Sequence, residues 1–546
     1  MNVEIAPVVE RRLGALPVSA EFLRRLDVAR IIDELCPVRD IAHLTHGQVI
    51  GVLVANRLSA PAPLVRVGDW AREWAVEEVF GIEADLLNDD RIGRALDAIA
   101  PELERIVGTV GASAVAEFGI DVSRLHWDMT SMSLHGAYEH QQEGFPQVKY
   151  GRPKDRRADL KQIQAGIAIS ADGGIPVFHR AYDGGAGEVS QVVGAMTALR
   201  ELAAPREFLM IGDSKLISYG NLLALQEAGV RFIAPAPAAK IPDGLYAGLD
   251  PGQTRPVNYT AERDAGKPPG QRGRYRVLED TQTLAGPRKR DPQITVRRIL
   301  VHSSANAQAQ QAARTRRLEQ AREELDKLQR ACGGRHYATA QKVTARVGVI
   351  TSKRRIGSCL VTCIATDDRG RPTLTWHYDQ EALAAEAAAD GWYALLTTLD
   401  PAEADAAEVL IRYKGQPVIE RRYSDFKGPL AVAPVFLHHN RRIAALITVI
   451  CLALLVFCLI ERQVRQALGG DQTMRGLYPD NRAVRPTGRL ILYHLDSLRM
   501  RAGTATDPPT ILVTRGVQAH LLELLGIDAT RPRWLDTSNR MCEIRV

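Results

Sequence analysis

The fold is decided by RLHWDMTSMSL at residues 124–134 and by the two runs that follow it, QIQAGIAIS at 162–170 and IPVFHRAYD at 175–183. All three runs have the length of strands and an apolar pattern typical of them. The residues DGG at 172–174 separate the second run from the third, and they tolerate the positive φ of a tight hairpin turn. The sequence therefore predicts three consecutive strands, of which the last two form a hairpin.

Helical and strand-like patterns alternate after the third strand. A helix is expected from Glu188 to Leu202 and another around Tyr219 to Ala228, and the apolar runs FLMIG at 208–212 and VRFIAPAP at 230–237 are expected to be strands. The order β-β-β-α-β-α-β predicts an α/β fold with a mixed sheet of five strands flanked by helices.

The remaining chain divides around this core. Apolar residues recur every three or four positions before residue 118, which predicts helices that either bind DNA or mediate dimerisation. Between the two parts of the core we expect a mostly β insertion with basic loops, a helical arm at 307–330 and strands that include VGVITS at 347–352. The predicted domains are 1–118, an all-α N-terminal domain; 119–239, the first part of the core; 240–400, the β-rich insertion; 401–468, the second part of the core; and 469–546, a mixed C-terminal tail.

The composition is that of an ordinary globular protein. Of 546 residues, 45% are hydrophobic and 25% are charged, which excludes a disordered or collagen-like chain. The seven cysteines are an odd and scattered set, and the N-terminus lacks the apolar run of a secretory signal. We therefore expect a cytoplasmic protein. Lys and Arg exceed Asp and Glu by 70 − 64 = 6, a mild bias toward polyanions.

One segment competes with that interpretation. IAALITVICLALLVFCLI at 443–460 has no charged residue and is long enough to cross a membrane. The alternative is a helix buried in the centre of a large domain. We favour burial and expect no membrane partner, because a membrane span in mid-chain would separate groups that belong to one site.

One acid lies inside a predicted strand of the core, and a second acid directly follows another. Asp128 lies inside the strand at 124–134, and Asp213 directly follows FLMIG. A buried acid is costly without a compensating cation, and ligand groups in α/β sheets commonly follow strands. If the two strands are neighbours, the carboxylates form an oxygen site suited to Mg²⁺. Taken singly, each acid fits a cap or turn residue better than a metal ligand.

A third acid completes a longer pattern. Tyr413, Gln416, Glu420 and Lys427 have the spacing Tyr-x2-Arg-x3-Glu-x6-Lys, with Gln in place of Arg. This resembles the signature of insertion-sequence transposases of the DDE class, in the insertion-sequence-four group. The segments LPVSAEFL, LNDDRIGRALD, LHWDMTSMSLHGAY, GDSKLIS and DGWYALLTTL occur in the order that such transposases show.

The resemblance implies an RNase H-like core and a cut-and-paste or related DNA transposase. It implies that Asp128, Asp213 and Glu420 are the catalytic and metal-binding triad, with two Mg²⁺ ions or Mn²⁺ as a substitute. The implied partners are double-stranded DNA, namely terminal inverted repeats and target DNA, and a second copy of the chain in a homodimer on DNA.

Gln416 is the departure from the family pattern. The family's arginine at this place is expected to contact phosphate, and an amide supplies neither the charge nor the bidentate fork. Arg421, Arg422 or Arg412 could compensate. The alternative is a catalytically decayed or repurposed DNA-binding protein derived from a transposase.

Other DNA contacts are expected around the core. Tyr413 and Lys427 belong to the family pattern, although a packed aromatic ring and a solvated lysine would look the same. Arg152 and Lys154 lie on the basic loop YGRPKDRRADLK, which enters the second strand near the proposed metal site, and a solvated loop without DNA contacts fits this run equally well. Glu188 begins a helix after a glycine-rich turn, and we assign it no catalytic role.

Overall fold

The computed structural model describes residues 10–139, 142–204, 206–430, 435, 437–470, 472–501, 510–513 and 515–528. The fold is mixed α/β. Two compact units share the chain: the first contains Met1–Asp213, Ala224–Val230 and Gly415–Val546, and the second contains Ser214–Leu223 and Arg231–Lys414. Parts of the predicted C-terminal tail, including Cys542, lie outside the described residues.

The N-terminal region is helical, as the apolar periodicity predicts. A short strand, β1 (Glu10–Arg12), precedes these helices: α1 (Leu16–Arg25), α2 (Val28–Leu35), α3 (His46–Ser59), α4 (Val67–Glu73), α5 (Val76–Phe80), α6 (Asp89–Ile99) and α7 (Leu103–Phe118). Thr45 caps α3 through a capping box with Gln48, which satisfies backbone N–H groups that the first turn would leave unpaired.

The core of the first unit follows the predicted order up to the second helix, and the last predicted strand, at 230–237, belongs to the second unit. Its elements are β2 (Arg124–Leu134), β3 (Lys161–Ser170), β4 (Pro176–Tyr182), α8 (Glu188–Ala203), β5 (Leu209–Ile211) and the C-terminal part of α9 (Tyr219–Glu227), whose first residues belong to the second unit. The strands lie in the order β4-β3-β2-β5, with β2 antiparallel to β3 and parallel to β5. Gly173 and Gly174 have φ of 79° and 65°, which confirms the predicted hairpin turn between β3 and β4.

The second unit contains the β insertion and its helical arm. Its elements are β6 (Arg231–Pro235), β7 (Arg255–Val257), β8 (Tyr275–Leu284), β9 (Ile294–Ser303), α10 (Ser304–Ala331), α11 (Ala340–Arg354), β10 (Leu360–Thr366), β11 (Pro372–Tyr378), α12 (Gln380–Ala388), β12 (Trp392–Thr397) and α13 (Ala406–Tyr413). Within it, β6-β12-β9-β8-β7 form an antiparallel series, and β10 pairs with β11.

The strand predicted at VGVITS was wrong, because these residues belong to α11. Thr339 caps this helix by accepting a hydrogen bond from the backbone N–H of Lys342. Val343, Val347 and Ile350, spaced four and three apart, are its buried residues and pack in one apolar cluster with α10. Helical spacing thus overrides the β preference of branched side chains.

The first unit is completed by elements after residue 415. They are α14 (Pro417–Lys427), α15 (Asn440–Leu468), α16 (Gly488–Leu495), β13 (Arg499–Arg501), β14 (Thr510–Leu512) and α17 (Gly516–Leu524). The strand β13 pairs with both β1 and β14.

The apolar stretch forms α15, which runs through the centre of the first unit. Of the described helices, α15 alone is long and apolar enough to cross a membrane, and the bent pair His46–Ser59 and Leu64–Glu73 passes the same test together. The apolar window of α15 is entirely buried, against α1, α3, α6 and β4 among others. A helix that is apolar all round fits such a place, so the prediction of a buried helix is confirmed.

Candidate active site

Asp128 and Asp213 stand at the same level of two neighbouring strands. The parallel strands β2 and β5 pair His126 with Ile211, and both acids lie two residues further on. Neighbouring strands are about 4.8 Å apart, so this register places the two acids side by side. Their charges interact, because Asp213 raises the pKa of Asp128. The structure therefore brings together these two predicted site residues.

Asp128 carries a charge in a largely buried place. Its side chain is 15% exposed, and Oδ1 accepts a hydrogen bond of 2.8 Å from the backbone N–H of Met129. Burial is the largest influence and raises the pKa of Asp128 to about 6, while Lys154 and the Met129 N–H oppose the rise and the charges of Asp213 and Glu188 add to it. The carboxylate is thus short of positive charge.

Lys154, which the sequence places on a loop near the proposed metal site, and Glu188, which the sequence did not place there, are both neighbours of Asp128. The Lys154 ammonium lies 3.4 Å from Asp128 Oδ1 and 3.8 Å from Glu188 Oε1. Glu188 is the first residue of α8, and its side chain is 15% exposed. For Glu188, the only sequence signal was its place at a helix start after a glycine-rich turn. That signal does not reveal which strand the side chain of Glu188 faces.

Helix α14 lies along β2 through three contacts. Gln416, at the helix N-cap, places Oε1 2.9 Å from His126 Nδ1. The hydroxyl of Tyr423 donates to the Asp128 carbonyl oxygen, and Lys427 Nζ donates to the Ser131 carbonyl oxygen at 2.6 Å. Helix and strand therefore run side by side in the same direction.

These contacts fix the level of Glu420. From Gln416 to Lys427 the helix advances by eleven residue steps, or about 16.5 Å. From His126 to Ser131 the strand advances by five residue steps, which is also about 16.5 Å. Glu420 is four residues after Gln416, or about 6 Å along the helix, which corresponds to roughly two strand residues beyond His126. Glu420 lies four residues after Gln416 and three before Tyr423, so the three residues share one face of the helix. Glu420 is exposed. By this estimate, the backbone of Glu420 lies near the level of Asp128 along the strand.

The chemistry of these groups suits a hard divalent cation, although the three predicted acids do not form a closed cage. Carboxylate oxygens are the ligands that Mg²⁺ prefers, and Asp128 has the buried, undercompensated charge that a cation stabilises. Among the described residues, no three His, Cys, Asp or Glu side chains are grouped closely enough to hold a metal ion. Coordination by Asp128, Asp213 and Glu420 together therefore requires their side chains to rotate toward one another.

Gln416 has a specific partner in place of phosphate. Burial lowers the pKa of His126, and the hydrogen bond with Gln416 opposes that shift. A neutral imidazole with its proton on Nδ1 donates to the Gln416 amide oxygen, whereas an arginine at position 416 would present only donors to this ring. His126 is a second residue that sequence reasoning missed. It lies two residues before Asp128, on the same face of β2.

Arg422 does not compensate for Gln416, which corrects that expectation. Its side chain is 2% exposed and donates to the carbonyl oxygens of Gly173, at 2.6 Å, and Gly174, at 3.0 Å. It also pairs with Glu461 at 2.8 Å and with Asp425 at 3.4 Å. A guanidinium enclosed in this way holds α14 against the β3-β4 hairpin and is closed to DNA.

The other predicted DNA contacts are placed on the surface or near it. Arg152 is exposed, Arg421 is half-buried, and Tyr413 is half-buried at the end of α13. Arg412 pairs with Glu408 at 2.8 Å within α13. Their roles toward DNA stay predictions.

Comparison with known proteins gives a family match for the N-terminal region and a weak structural match for most of the chain. Residues 8–106 match the model described as Domain of unknown function (DUF4277). No curated protein matches the chain. The chain is similar to the solved structure titled "Cryo-EM structure of piggyBac transposase synaptic complex with hairpin DNA", with 8% identity, a TM-score of 0.34, and coverage of 88% of this chain and 78% of that chain.

Proposed function

We propose that this chain is a DDE-type DNA transposase with an RNase H-like core, which cleaves DNA strands at transposon ends and transfers them into target DNA. The observation that supports the proposal best is the strand register that sets Asp128, on β2, beside Asp213, two residues after the end of β5. The helical and strand rises between the contacts of α14 and β2 give Glu420 a similar level along β2, which supports including it with these two acids. These acids are also the ones that the family pattern selects.

Within this proposal, Asp128, Asp213 and Glu420 hold two divalent cations, Mg²⁺ or Mn²⁺. When bound there, the metal ions would supply activation of a water or 3′-hydroxyl and stabilisation of the leaving oxygen of an in-line displacement at phosphorus. The chain's own contribution is positioning: Tyr423 and Lys427 donate to the β2 backbone and so hold α14, the helix that carries Glu420, beside this strand.

The substrate in this proposal is double-stranded DNA, as terminal inverted repeats and as target. Arg152 and Lys154 lie on the exposed basic loop beside the acids, where phosphate contacts would orient the scissile strand. We further propose a homodimer on DNA, because two transposon ends must be joined, and a cytoplasmic location.

Replacement of Asp128 by Asn tests the enzyme directly. We expect Mg²⁺-dependent cleavage of DNA that carries the inverted termini flanking the gene to fall at least a hundredfold, because the first metal loses a charged ligand. Binding of the same DNA, measured by fluorescence anisotropy, should be unchanged or stronger, because a negative charge is removed.

Asp368→Asn is the matched control, since Asp368 is an exposed acid on the turn between β10 and β11. This variant should cleave like the unaltered protein. Full cleavage by the Asp128→Asn variant would refute the assignment of the triad.

A second candidate is a DNA-binding protein that has lost catalysis. It is favoured by the engagement of Gln416 with His126, which leaves the family's phosphate-binding position occupied by an amide. On this alternative, the unaltered protein binds the terminal repeats but gives no cleavage with Mg²⁺ or Mn²⁺ at any protein concentration. The cleavage assay above therefore separates the two candidates.

A further inference from the structure

Lys154 holds a position inside the carboxylate cluster. Its ammonium lies 3.4 Å from Asp128 Oδ1 and 3.8 Å from Glu188 Oε1, and it also donates to the carbonyl oxygen of Met129. It lies within hydrogen-bond distance of Asp128 and lowers the pKa of that acid, and the charge of Asp128 also acts on Lys427. One ammonium thus faces two carboxylates that repel each other.

The backbone of Lys154 is anchored while its side chain is only partly enclosed. The Lys154 N–H donates to Ser131 Oγ at 2.9 Å, and the next residue, Asp155, accepts a hydrogen bond of 2.7 Å from Ser133 Oγ. These two contacts fix the loop to the second half of β2. The Lys154 side chain, by contrast, is 45% exposed. The ammonium can therefore swing into solvent without a change in the loop.

We propose that Lys154 is a built-in counter-ion of the carboxylate cluster, which a divalent metal ion must displace before the site is loaded. This inference rests on the proposed function, because it takes Asp128 as a metal ligand. Lys154 stabilises the metal-free protein by neutralising part of the charge of Asp128 and Glu188, and it lowers metal affinity by the same contact.

Competition follows from the geometry. Oδ1 of Asp128 accepts two hydrogen bonds, one from the Lys154 ammonium and one from the backbone N–H of Met129. A metal ion that binds Oδ1 directly takes the place of the ammonium, because two cations at hydrogen-bond distance from one oxygen repel each other strongly in a buried place. A lysine can withdraw, since its long flexible stem has many rotamers.

Metal titration tests the competition. Binding of Mn²⁺ to metal-stripped full-length protein is measured by calorimetry and by loss of the free-ion EPR signal. Lys154→Met should lower the Kd for Mn²⁺ about fivefold, a factor on the scale of a partly exposed ion pair. Lys161→Met is the matched control: it removes one charge nearby, but its ammonium donates to the backbone carbonyls of Ala137 and Tyr138. This control should change the Kd less than about twofold.

Chemical labelling tests the displacement itself. The rate at which a limiting acylating reagent modifies Lys154 is followed by mass spectrometry, with and without Mn²⁺. Mn²⁺ should raise the rate at Lys154 severalfold. Lys149 is an internal reference, because its side chain is equally exposed, at 45%, and pairs with Asp183 at 2.8 Å. Its rate should not respond to Mn²⁺.

The outcomes separate the two proposals. If the unaltered protein binds Mn²⁺ and Asp128→Asn abolishes binding, but Lys154→Met equals Lys161→Met, the counter-ion role is wrong and the metal site stands. An unchanged labelling rate at Lys154 on saturation with Mn²⁺ also overturns the counter-ion role. If Mn²⁺ binding is absent, or is unaffected by Asp128→Asn, the proposed metal site itself fails, and the inference about Lys154 fails with it.

Discussion

Two clusters of buried charge lie on either side of α14, and they are balanced differently. In the first, Glu461 is 3% exposed and is paired with Arg422 at 2.8 Å and with Arg465 at 2.7 Å. In the second, Asp128 is 15% exposed and faces two further acids with Lys154 as its cation. Burial would raise the pKa of both acids, but the arginines bring the pKa of Glu461 below its ordinary value, while that of Asp128 rises to about 6.

The difference separates a cluster that is balanced within the chain from the proposed metal site. The Glu461 carboxylate is balanced by groups of the chain itself. Besides the two arginines, the backbone N–H of Gly488 donates a hydrogen bond to it at 2.8 Å. At Asp128 the chain buries negative charge and supplies too little positive charge to balance it. A deficit of this kind is expected where an external cation completes the site.

The largest effect is expected from breaking the balanced cluster. Arg422→Met should lower the free energy of unfolding by about 3–5 kcal/mol, because Glu461 then stays buried with less compensation. The carbonyls of Gly173 and Gly174 also lose their donor. Urea unfolding followed by circular dichroism measures the change.

Arg421→Met is the matched control for this substitution. Arg421 is the neighbouring residue on α14 and is only half-buried. Its replacement should lower the free energy of unfolding much less. Equal losses for Arg421→Met and Arg422→Met would contradict the view that Arg422 fastens α14 to the β3-β4 hairpin.

An intermediate effect, of opposite sign, is expected at the undercompensated cluster. The pKa of Asp128 is raised from 3.8 to about 6, so the folded state holds this proton more tightly than the unfolded state does. The charged form therefore destabilises the fold above about pH 6, and the penalty disappears as the pH falls below 3.8. Asp128→Asn should stabilise metal-free protein at pH 7.5 by on the order of 1–3 kcal/mol, and this gain should vanish near pH 4.

Glu461→Gln sharpens the contrast. Because the pKa of Glu461 is lowered, its charged form stabilises the fold above the unfolded pKa, and that stability is lost as the pH falls through the folded value. This variant should therefore be less stable at pH 7.5 and approach the unaltered protein at low pH. Thermal unfolding in a chelator across pH 4–8 measures both variants. The same sign for both would remove the distinction between the clusters.

The smallest effect is expected at the contact between α14 and β2. Gln416→Ala should lower the free energy of unfolding by about 1 kcal/mol, because His126 loses a hydrogen-bond partner in a buried place. The pKa of His126 should fall further below its ordinary value, since Gln416 is the group that opposes its depression. NMR of ring-labelled histidine across pH 4–8 measures that pKa. An unchanged titration of His126 would show that the two side chains do not interact in solution.

Local chemistry made much of the fold predictable. The hairpin at Gly173 and Gly174 followed from residues that accept positive φ, and the buried helix α15 followed from an unbroken apolar run. The error at Val347 arose where branched side chains favour strands but their three- and four-residue spacing packs a helix.

Site residues were predictable only as types of side chain. Asp128 and Asp213 could be selected because each stands in or after an apolar strand, but their adjacency depended on the pairing of β2 with β5. Glu188 and His126 carried no comparable signal, and Arg422 looked like a DNA contact until its burial was known.

The sequence by itself determined the order of the elements, the hairpin, the apolar central helix and the acids worth considering, because turns, periodicity and charge are properties of neighbouring residues. Only the tertiary structure decided which acids share a level, which arginine is enclosed and which lysine reaches Asp128. These relations join residues tens or hundreds of positions apart, and they are set by strand register, helix contacts and burial, which a chain acquires only when it folds.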